Sequence, residues 1–359
     1  MSKQILINLS FLLSEPTGIS TYAASLIPYL KSLEPTLLIS HKKEDFNCYL
    51  IPDNLTPAHG TKGHLRRLLW TQFQLPKIYT KLKSSLLFSP IPEAPLFTKT
   101  RYILMCHDLI PLRFPRSLSP LTNYFRYLVP LVLNNAEHII CNSQATARDI
   151  TKYYGISEKK ITPILLAYDS NNFRYLQDTK VSQKPYFLYI GRHDPYKNLH
   201  RSIAAFAAIS NKDYQFWIAG ATDPRFTPKL QQQATELGIK DRVKFLSYVP
   251  YEELPIIING AIALVFPTLW EGFGLPVLEA MACGTPVITS NLASLPEITG
   301  DAAILINPYR VEAITEAMDT MANDPQWRSR LSTLSLQQAK KFSWQKTATA
   351  TTEVLTRYM

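Results

Sequence analysis

The same order of apolar strand, polar loop and amphipathic helix opens this chain and then reopens it halfway along. KQILINLSF reads as a strand, LLSEPTG as a loop and ISTYAASLIPYL as a helix; later KPYFLYIG, RHDPYKN and LHRSIAAFAAIS repeat the order. In the later helix Leu199, Ile203, Phe206 and Ile209 recur at spacings of four and three, giving one apolar face. RYILMCHDL, EHIICNS with the helix ATARDITKYYG, YQFWIAG, RVKFLSY and AIALVFPT continue the alternation. Strands joined through helices run parallel, and parallel sheets need helices on both faces. The fold class is therefore α/β, built twice.

At 359 residues two domains are expected. The polar, aperiodic stretch SNNFRYLQDTKVSQKP (170–185) carries the boundary, which divides the chain into domains 1–172 and 173–342. Residues 309–340 read as helical. The closing FSWQKTATATTEVLTRYM supplies a last helix, 343–359, expected to pack back on the N-terminal domain.

Four scattered cysteines, Cys48, Cys106, Cys141 and Cys283, have neither metal-like nor disulfide-like spacing, which suits a reducing, cytoplasmic setting. Asn8 interrupts the first apolar run and no small-residue cleavage site follows, so a buried strand is expected there instead of a signal peptide. The longest charge-free apolar stretch, Leu254 to Trp270, contains Asn259, Gly260 and Pro267 and reads as helix end, turn and strand, not a membrane span. Net charge is +10, and residues 1–170 hold most of it, with 19 Lys+Arg against 11 Asp+Glu. No nucleic-acid module has its usual spacing here. A membrane face, a phosphorylated ligand or simple solubility remains to explain the charge.

The chemistry concentrates in WEGFGLPVLEAMACGTPVI, Trp270 to Ile288. Gly272 and Gly274 free the backbone, Pro276 suits a helix start, and helix starts attract anions. Glu271 and Glu279 flank that loop and would repel a bare phosphate. On spacing alone they read equally well as a loop charge and a solvated helix face. Carboxylates do, however, hold sugar hydroxyls strongly. A ligand with a sugar at one end, a ribose at the other and a diphosphate between would suit both acids, and a nucleotide sugar has that layout. Gly272 and Gly274 also approach the dinucleotide fingerprint, but Val277 replaces its third glycine, which leaves a hydride-transfer enzyme as a minor reading. Arg192 and Lys197, in GRHDPYKN, follow a strand and could neutralise a diphosphate; alone they would read as exposed loop charges. The sequence has no Asp-x-Asp pair and no His/Cys cluster, so no metal and no cofactor are expected.

FPTLWEGFGLPVLEAMACGTPVITSNLASLPEITGDAAI closely resembles the donor-binding signature of family 4 of the retaining glycosyltransferases. GRHDPYKNL resembles the family's arginine–lysine motif and CHDLIPLRFP its N-terminal histidine motif. The resemblance runs over nearly the whole chain and is more specific in the second half. It implies the GT-B architecture, two Rossmann-like doubly wound parallel-sheet domains facing a central cleft, with 1–172 binding the acceptor and 173–342 the nucleotide-sugar donor. It also implies roles. Glu271 would contact the transferred sugar near the reacting carbon, and Glu279 would bind the donor ribose. The backbone N–H groups of Phe273, Gly274 and Leu275 would hold sugar hydroxyls or phosphate. Arg192 and Lys197 would draw off the diphosphate charge, His107 would lie over the sugar, and Gly18 would let the first loop approach the phosphates. The surroundings of Tyr248 to Tyr251 would touch the base. Two places depart from the family pattern: Thr17 and Gly18 stand where paired glycines are frequent, and Ala167, Tyr168 and Asp169 where Asn-Gly-Val-Asp is frequent.

The implied function is a retaining, metal-independent hexosyltransferase, with mannose from GDP-mannose the first expectation for the donor and UDP-glucose and related donors open. The acceptor would be a glycan or lipid-linked hydroxyl in polysaccharide or glycolipid synthesis on the cytoplasmic face. A sugar-nucleotide epimerase or a non-catalytic nucleotide- or glycan-binding protein of the same architecture are the alternatives. GHLRRLLWTQFQLPKIYTKLKSS (63–85) combines Arg66, Arg67, Lys77, Lys81 and Lys83 with Leu65, Leu68, Leu69, Trp70 and Phe73. It reads either as an amphipathic segment in peripheral contact with anionic membrane or as a buried helix with a solvated basic edge.

Overall fold

The inner strands of both sheets are buried almost along their whole length, as parallel strands between helical layers must be, and the edge strands are partly exposed. The computed structural model describes residues 4–13, 18–117, 119–177, 179 and 181–359. Its contacts divide the chain into two units, Met1–Leu166 with Ser343–Met359, and Ala167–Phe342. The changeover at Leu166/Ala167 comes just ahead of the polar stretch singled out in the sequence, whose Asp178 and Lys180 lie outside the described residues.

The first unit carries β1 (Ile5–Asn8), β2 (Thr36–Ile39), β3 (Asn47–Leu50), β4 (Leu86–Ser89), β5 (Tyr102–Cys106), β6 (His138–Cys141) and β7 (Ile161–Pro163). They form a sheet in the order β3-β2-β1-β4-β5-β6-β7, and every pairing is parallel. The order reverses between β1 and β4, and chains of this kind bind ligands outside the carboxyl ends of strands at such a reversal. The helix Trp344–Tyr358 closes this unit: Trp344, Ala348, Val354 and Leu355 are buried. Trp344 packs against Tyr22 at 6.2 Å, and the Thr347 hydroxyl donates to the Leu165 carbonyl at 2.8 Å.

Residues 63–85 are not one amphipathic element. Two helices, Gly60–Phe73 and Leu75–Lys81, meet at Pro76, which fits the first turn of the second. Trp70 and Arg67 both turn inward. The Arg67 guanidinium forks onto Glu93, at 2.7 Å from Nε to Oε2 and 2.6 Å from Nη2 to Oε1. Arg67 and Trp70 therefore belong to the core, and neither forms part of an interfacial face.

The second unit repeats the design with β8 (Tyr186–Ile190), β9 (Gln215–Ala219), β10 (Val243–Ser247), β11 (Ala263–Phe266), β12 (Val287–Ser290) and β13 (Ile304–Ile306). The sheet runs β10-β9-β8-β11-β12-β13, all parallel, with its reversal between β8 and β11. This is the strand order of a dinucleotide-binding doubly wound sheet. The apolar stretch from Leu254 resolves into the helix Leu254–Asn259, a turn and β11. Among the described residues no helix is long and apolar enough to cross a membrane.

Candidate active site

The loops after β8 and β11 leave the second sheet at its reversal and are sewn together. Asn198, buried and left-handed at φ 66°, donates its side-chain amide to the Pro267 carbonyl at 2.8 Å and the Pro308 carbonyl at 2.7 Å. The Tyr196 carbonyl accepts from the Leu269 N–H at 2.8 Å and the Thr268 hydroxyl at 3.2 Å. The consequence is one short ion pair: Lys197 Nζ donates to Glu271 Oε1 at 2.5 Å, with both side chains largely out of water. The ammonium also sits 5.3 Å from the Phe266 ring centre and 5.4 Å from that of Tyr196, positions that favour a cation.

Arg192 behaves differently. Its side chain is 69 % exposed, and its Nη2 lies 2.7 Å from Oδ2 of the buried Asp194. The Tyr189 hydroxyl donates to the Arg192 carbonyl at 2.8 Å, so the backbone beneath this mobile-length side chain is pinned.

After Glu271 the chain enters the helix Leu275–Ala282 through Gly274, at φ 108°, a conformation that L side chains rarely adopt. A β-carbon at Gly274 would stand 2.7 Å from Leu295 Cδ2. Ser294 secures the turn, its hydroxyl lying 2.6 Å from the Phe273 carbonyl oxygen and 3.1 Å from that of Glu271. Phe273 is buried, edge-on to Phe342 at 6.3 Å. Pro276 has no N–H, and the Val277 and Leu278 N–H groups donate to the Gly274 carbonyl at 3.0 and 3.3 Å, which leaves the Leu275 N–H at the tip of the helix. Glu279 stands one turn further on and is half-buried. Burial pushes its carboxyl up to about 7, with the Asp169 charge adding to the effect. Tyr251 sits edge-on to Phe173 at 5.4 Å, while Tyr248 is exposed.

Six of the sequence-derived residues thus gather in this unit around the two loops: Arg192, Lys197, Glu271, Phe273, Gly274 and Leu275, with Glu279 on the helix that follows. Asn198 and Ser294 were not among them. Asn198 had a local signal, an Asx residue immediately before a helix; Ser294 had none, because its partners are backbone carbonyls more than 20 residues away.

His107 and Gly18 belong to the first unit. His107 follows β5 and is buried, and its Nε2–H donates to the Pro90 carbonyl at 2.9 Å. Tyr22 meets its ring edge-on at 5.0 Å. Burial lowers its pKa to about 4, so the ring is neutral near pH 7 and Nδ1 is an acceptor. Gly18 begins the helix Gly18–Leu26, and a β-carbon there would meet nothing within 4 Å. The chain itself does not require glycine at that position. Thr17 and the rest of the loop 14–17 lie outside the described residues. Among the described residues no three His, Cys, Asp or Glu side chains gather as a metal site would require.

The family described as Glycosyltransferase Family 4 matches residues 16–171, and Glycosyl transferases group 1 matches residues 175–337, so the two together span nearly all of the sequence. The chain belongs to glycosyltransferase family 4. O-antigen chain mannosyltransferase B of Escherichia coli is 32 % identical to this family 4 chain over 231 residues, 61 % of this chain and 60 % of the relative. O-antigen chain mannosyltransferase RfbU of Salmonella typhimurium is 33 % identical over 224 residues, 62 % of each chain. The family 4 chain thus spans about three fifths of the length of these curated relatives. In structure it resembles sucrose-phosphate synthase from Thermosynechococcus elongatus, with a TM-score of 0.80 at 18 % identity over 99 % of both chains. It also resembles HepE of Anabaena in complex with UDP and glucose, with a TM-score of 0.76 at 19 % identity over 99 % of this chain and 100 % of that one. The fold is GT-B, two Rossmann-like α/β units.

Proposed function

We propose that this chain is a retaining glycosyltransferase that moves mannose from GDP-mannose to an acceptor hydroxyl. The observation that carries the reading is the buried Lys197–Glu271 pair at the sheet reversal, beside a helix start shaped by Gly274 and Ser294. Glu271 has a second carboxylate oxygen for a sugar hydroxyl, and the ammonium has donors to spare for a diphosphate. Arg192 adds a second cation from solvent, and Glu279 accepts from the ribose. With two cations at the diphosphate the reading needs no metal ion. The curated mannosyltransferases at 32 % and 33 % identity favour mannose over glucose.

In the transfer, a bond forms between the acceptor oxygen and the anomeric carbon on the face from which the diphosphate departs. The bond from that carbon to the β-phosphate oxygen breaks, and its electron pair leaves with the nucleoside diphosphate. The acceptor's proton passes to a leaving phosphate oxygen. Positive charge grows on the sugar as negative charge grows on the diphosphate, and Lys197 and Arg192 stabilise the latter most in the transition state. His107 Nδ1 would accept from a sugar hydroxyl, which a neutral imidazole can do and an imidazolium cannot. The acceptor is a glycan or lipid-linked hydroxyl, and the work takes place at the cytoplasmic side.

The test is a thermal-shift screen against GDP, UDP and ADP with their sugars, followed by incubation with labelled GDP-mannose. GDP-mannose should stabilise most and be slowly hydrolysed or transferred with its anomeric configuration kept. Appearance of an epimer, or an untouched donor that nonetheless binds, would overturn the reading. Preference for a UDP-sugar would overturn the mannose assignment alone.

A further inference from the structure

The helix Leu199–Ala208, which carries the chain away from Lys197, breaks two rules that helix starts ordinarily obey. Asn198 holds the N-cap position, where an asparagine side chain normally accepts from an N–H of the first turn. Here it makes no such bond; its backbone is left-handed at φ 66°, and its side chain turns back to the Pro267 and Pro308 carbonyls. Arg201 stands in the first turn, where the helix dipole disfavours a cation, and no acidic residue accompanies it. Departures from local preference tend to mark functional positions.

The two departures meet at one amide. An asparagine side chain has two hydrogens on its nitrogen and lone pairs on its oxygen. Nδ2 reaches the two prolyl carbonyls at 2.8 and 2.7 Å, and Arg201 Nη1 donates to Oδ1 at 2.8 Å. Asn198 is fully buried, so without the guanidinium its side-chain oxygen would be left unpaired away from water. The guanidinium also decides which way the amide points. Turned over, the amide would set its oxygen against two carbonyl oxygens and its N–H groups against a permanent cation. A charged donor on Oδ1 further polarises the amide and strengthens the two bonds its nitrogen makes.

Arg201 is itself held. Its guanidinium carbon lies 5.7 Å from the Tyr309 ring centre, and Nη1 is 3.1 Å from His200 Nε2, which accepts as a neutral imidazole does. Tyr309 sits in the loop after β13, where its N–H donates to Asn307 Oδ1 at 3.0 Å. Three loops therefore converge on a single buried amide, those that follow β8, β11 and β13. Pro267 leads to Glu271 four residues on, and Asn198 adjoins Lys197, so the amide ties together the chain segments that carry the two ends of the ion pair.

We propose that Arg201 is a positioning residue for the transfer, acting from the half-exposed side of the helix, through the Asn198 amide, on the place of Lys197. The inference rests on the reading that Lys197 draws off the diphosphate charge. A shift of about an ångström in a group aimed at developing charge is felt in the rate far more than in ground-state affinity. The effect of Arg201 therefore differs from that of Arg192, which meets the diphosphate itself.

The experiment measures the single-turnover rate with labelled GDP-mannose, the Kd for the same donor and the melting temperature. Arg201→Met keeps an apolar stem and a good helix former, and Arg201→Lys keeps the charge without the planar fork. Each is also made beside Asn198→Gly, since glycine suits the left-handed backbone. Arg201→Met should slow the chemical step about tenfold with the donor Kd within about twofold of the parent, and Arg201→Lys should restore part of the rate. Beside Asn198→Gly the same change should cost nothing further, because the amide through which it acts is gone. A lower melting temperature with an intact rate would reduce Arg201 to a structural role and overturn the proposal. So would a loss that persists in full beside Asn198→Gly, whatever the Kd, since Arg201 would then act by another route. Lys197→Ala tells this failure from that of the reading beneath it. An intact rate there removes the lysine from the chemistry, whereas a slow Lys197→Ala beside an unaffected Arg201→Met removes Arg201 alone.

Discussion

A lysine that is nearly buried must have a partner, and Lys197 has Glu271. The pair is held by hydrogen bonds of the Tyr196 carbonyl and the Asn198 side chain between the two loops, and a cation fixed in this way stabilises developing negative charge with little reorganisation. Lys197→Ala should therefore lower kcat about a hundredfold or more while raising the donor Kd only a few-fold. Single-turnover rates and nucleotide titration measure the two separately; an intact kcat would remove Lys197 from the chemistry. Glu279 makes a prediction in pH. Its folded-state value, about 7, stands above that of an unfolded glutamate, so folding favours the protonated acid. Its contribution to stability is complete below the unfolded value and is lost as pH rises through 7. Ribose hydroxyls donate, so nucleotide binding favours the carboxylate and releases a proton. GDP affinity should rise with pH up to about 7 and level off above it, as seen by calorimetry in buffers of different ionisation enthalpy. Glu279→Gln should melt higher than the parent above pH 7 and flatten that profile. A parent whose affinity is the same on both sides of pH 7 would show that Glu279 does not face the ribose.

At the scale of elements, the site is two loops and one helix start, and their geometry depends on hydrogen bonds to backbone carbonyls. Ser294→Ala removes the hydroxyl beside the carbonyls of Glu271 and Phe273 and should lower stability by about 1–2 kcal/mol. It should also weaken nucleotide binding several-fold, because the loop that aims Glu271 loses its anchor. Melting curves and titration read both, and unchanged binding would mean that Phe273 packing alone holds the loop. The strand–helix alternation was readable because buried parallel strands are short apolar runs, and YFLYI and ALVF could hardly be anything else. Glu271, Glu279, Arg192 and Lys197 were singled out by the motifs they resemble; spacing alone left them equally readable as loop charges and a solvated helix face, and it gave no sign that Lys197 would lie on Glu271, 74 residues away. Ser294, by contrast, acts across 21 and 23 residues on oxygens that every residue type possesses, so nothing in its neighbourhood marks it. Residues 63–85 read either as an interfacial face or as a buried helix with a basic edge; the fork of Arg67 onto Glu93, 26 residues on, and the burial of Trp70 place these two residues in the second reading, which local spacing could not decide.

At the scale of the whole molecule, the chain leaves its first unit at Leu166, builds the second, and returns for the helix Trp344–Tyr358. That return separates what each unit needs in order to fold. The helix buries Trp344, Val354 and Leu355 in the first unit, besides the Thr347 hydrogen bond to Leu165 and the ring contact of Tyr358 with His138 at 5.3 Å. Fully burying a large apolar side chain is worth about 1.5–3 kcal/mol, so three of them equal much of the 5–15 kcal/mol that holds a typical domain. A chain ending at Phe342 should therefore lose the cooperative unfolding of its first unit, or show it at a much lower temperature. The second unit keeps its sheet, the Lys197–Glu271 pair and Glu279, so GDP should still bind within a few-fold of the parent affinity while transfer disappears. Calorimetry, limited proteolysis and nucleotide titration on the one truncated protein separate these outcomes. Loss of nucleotide binding along with the first unit would mean that the second cannot hold the donor with its own residues, and the division of labour between the units argued above would fail.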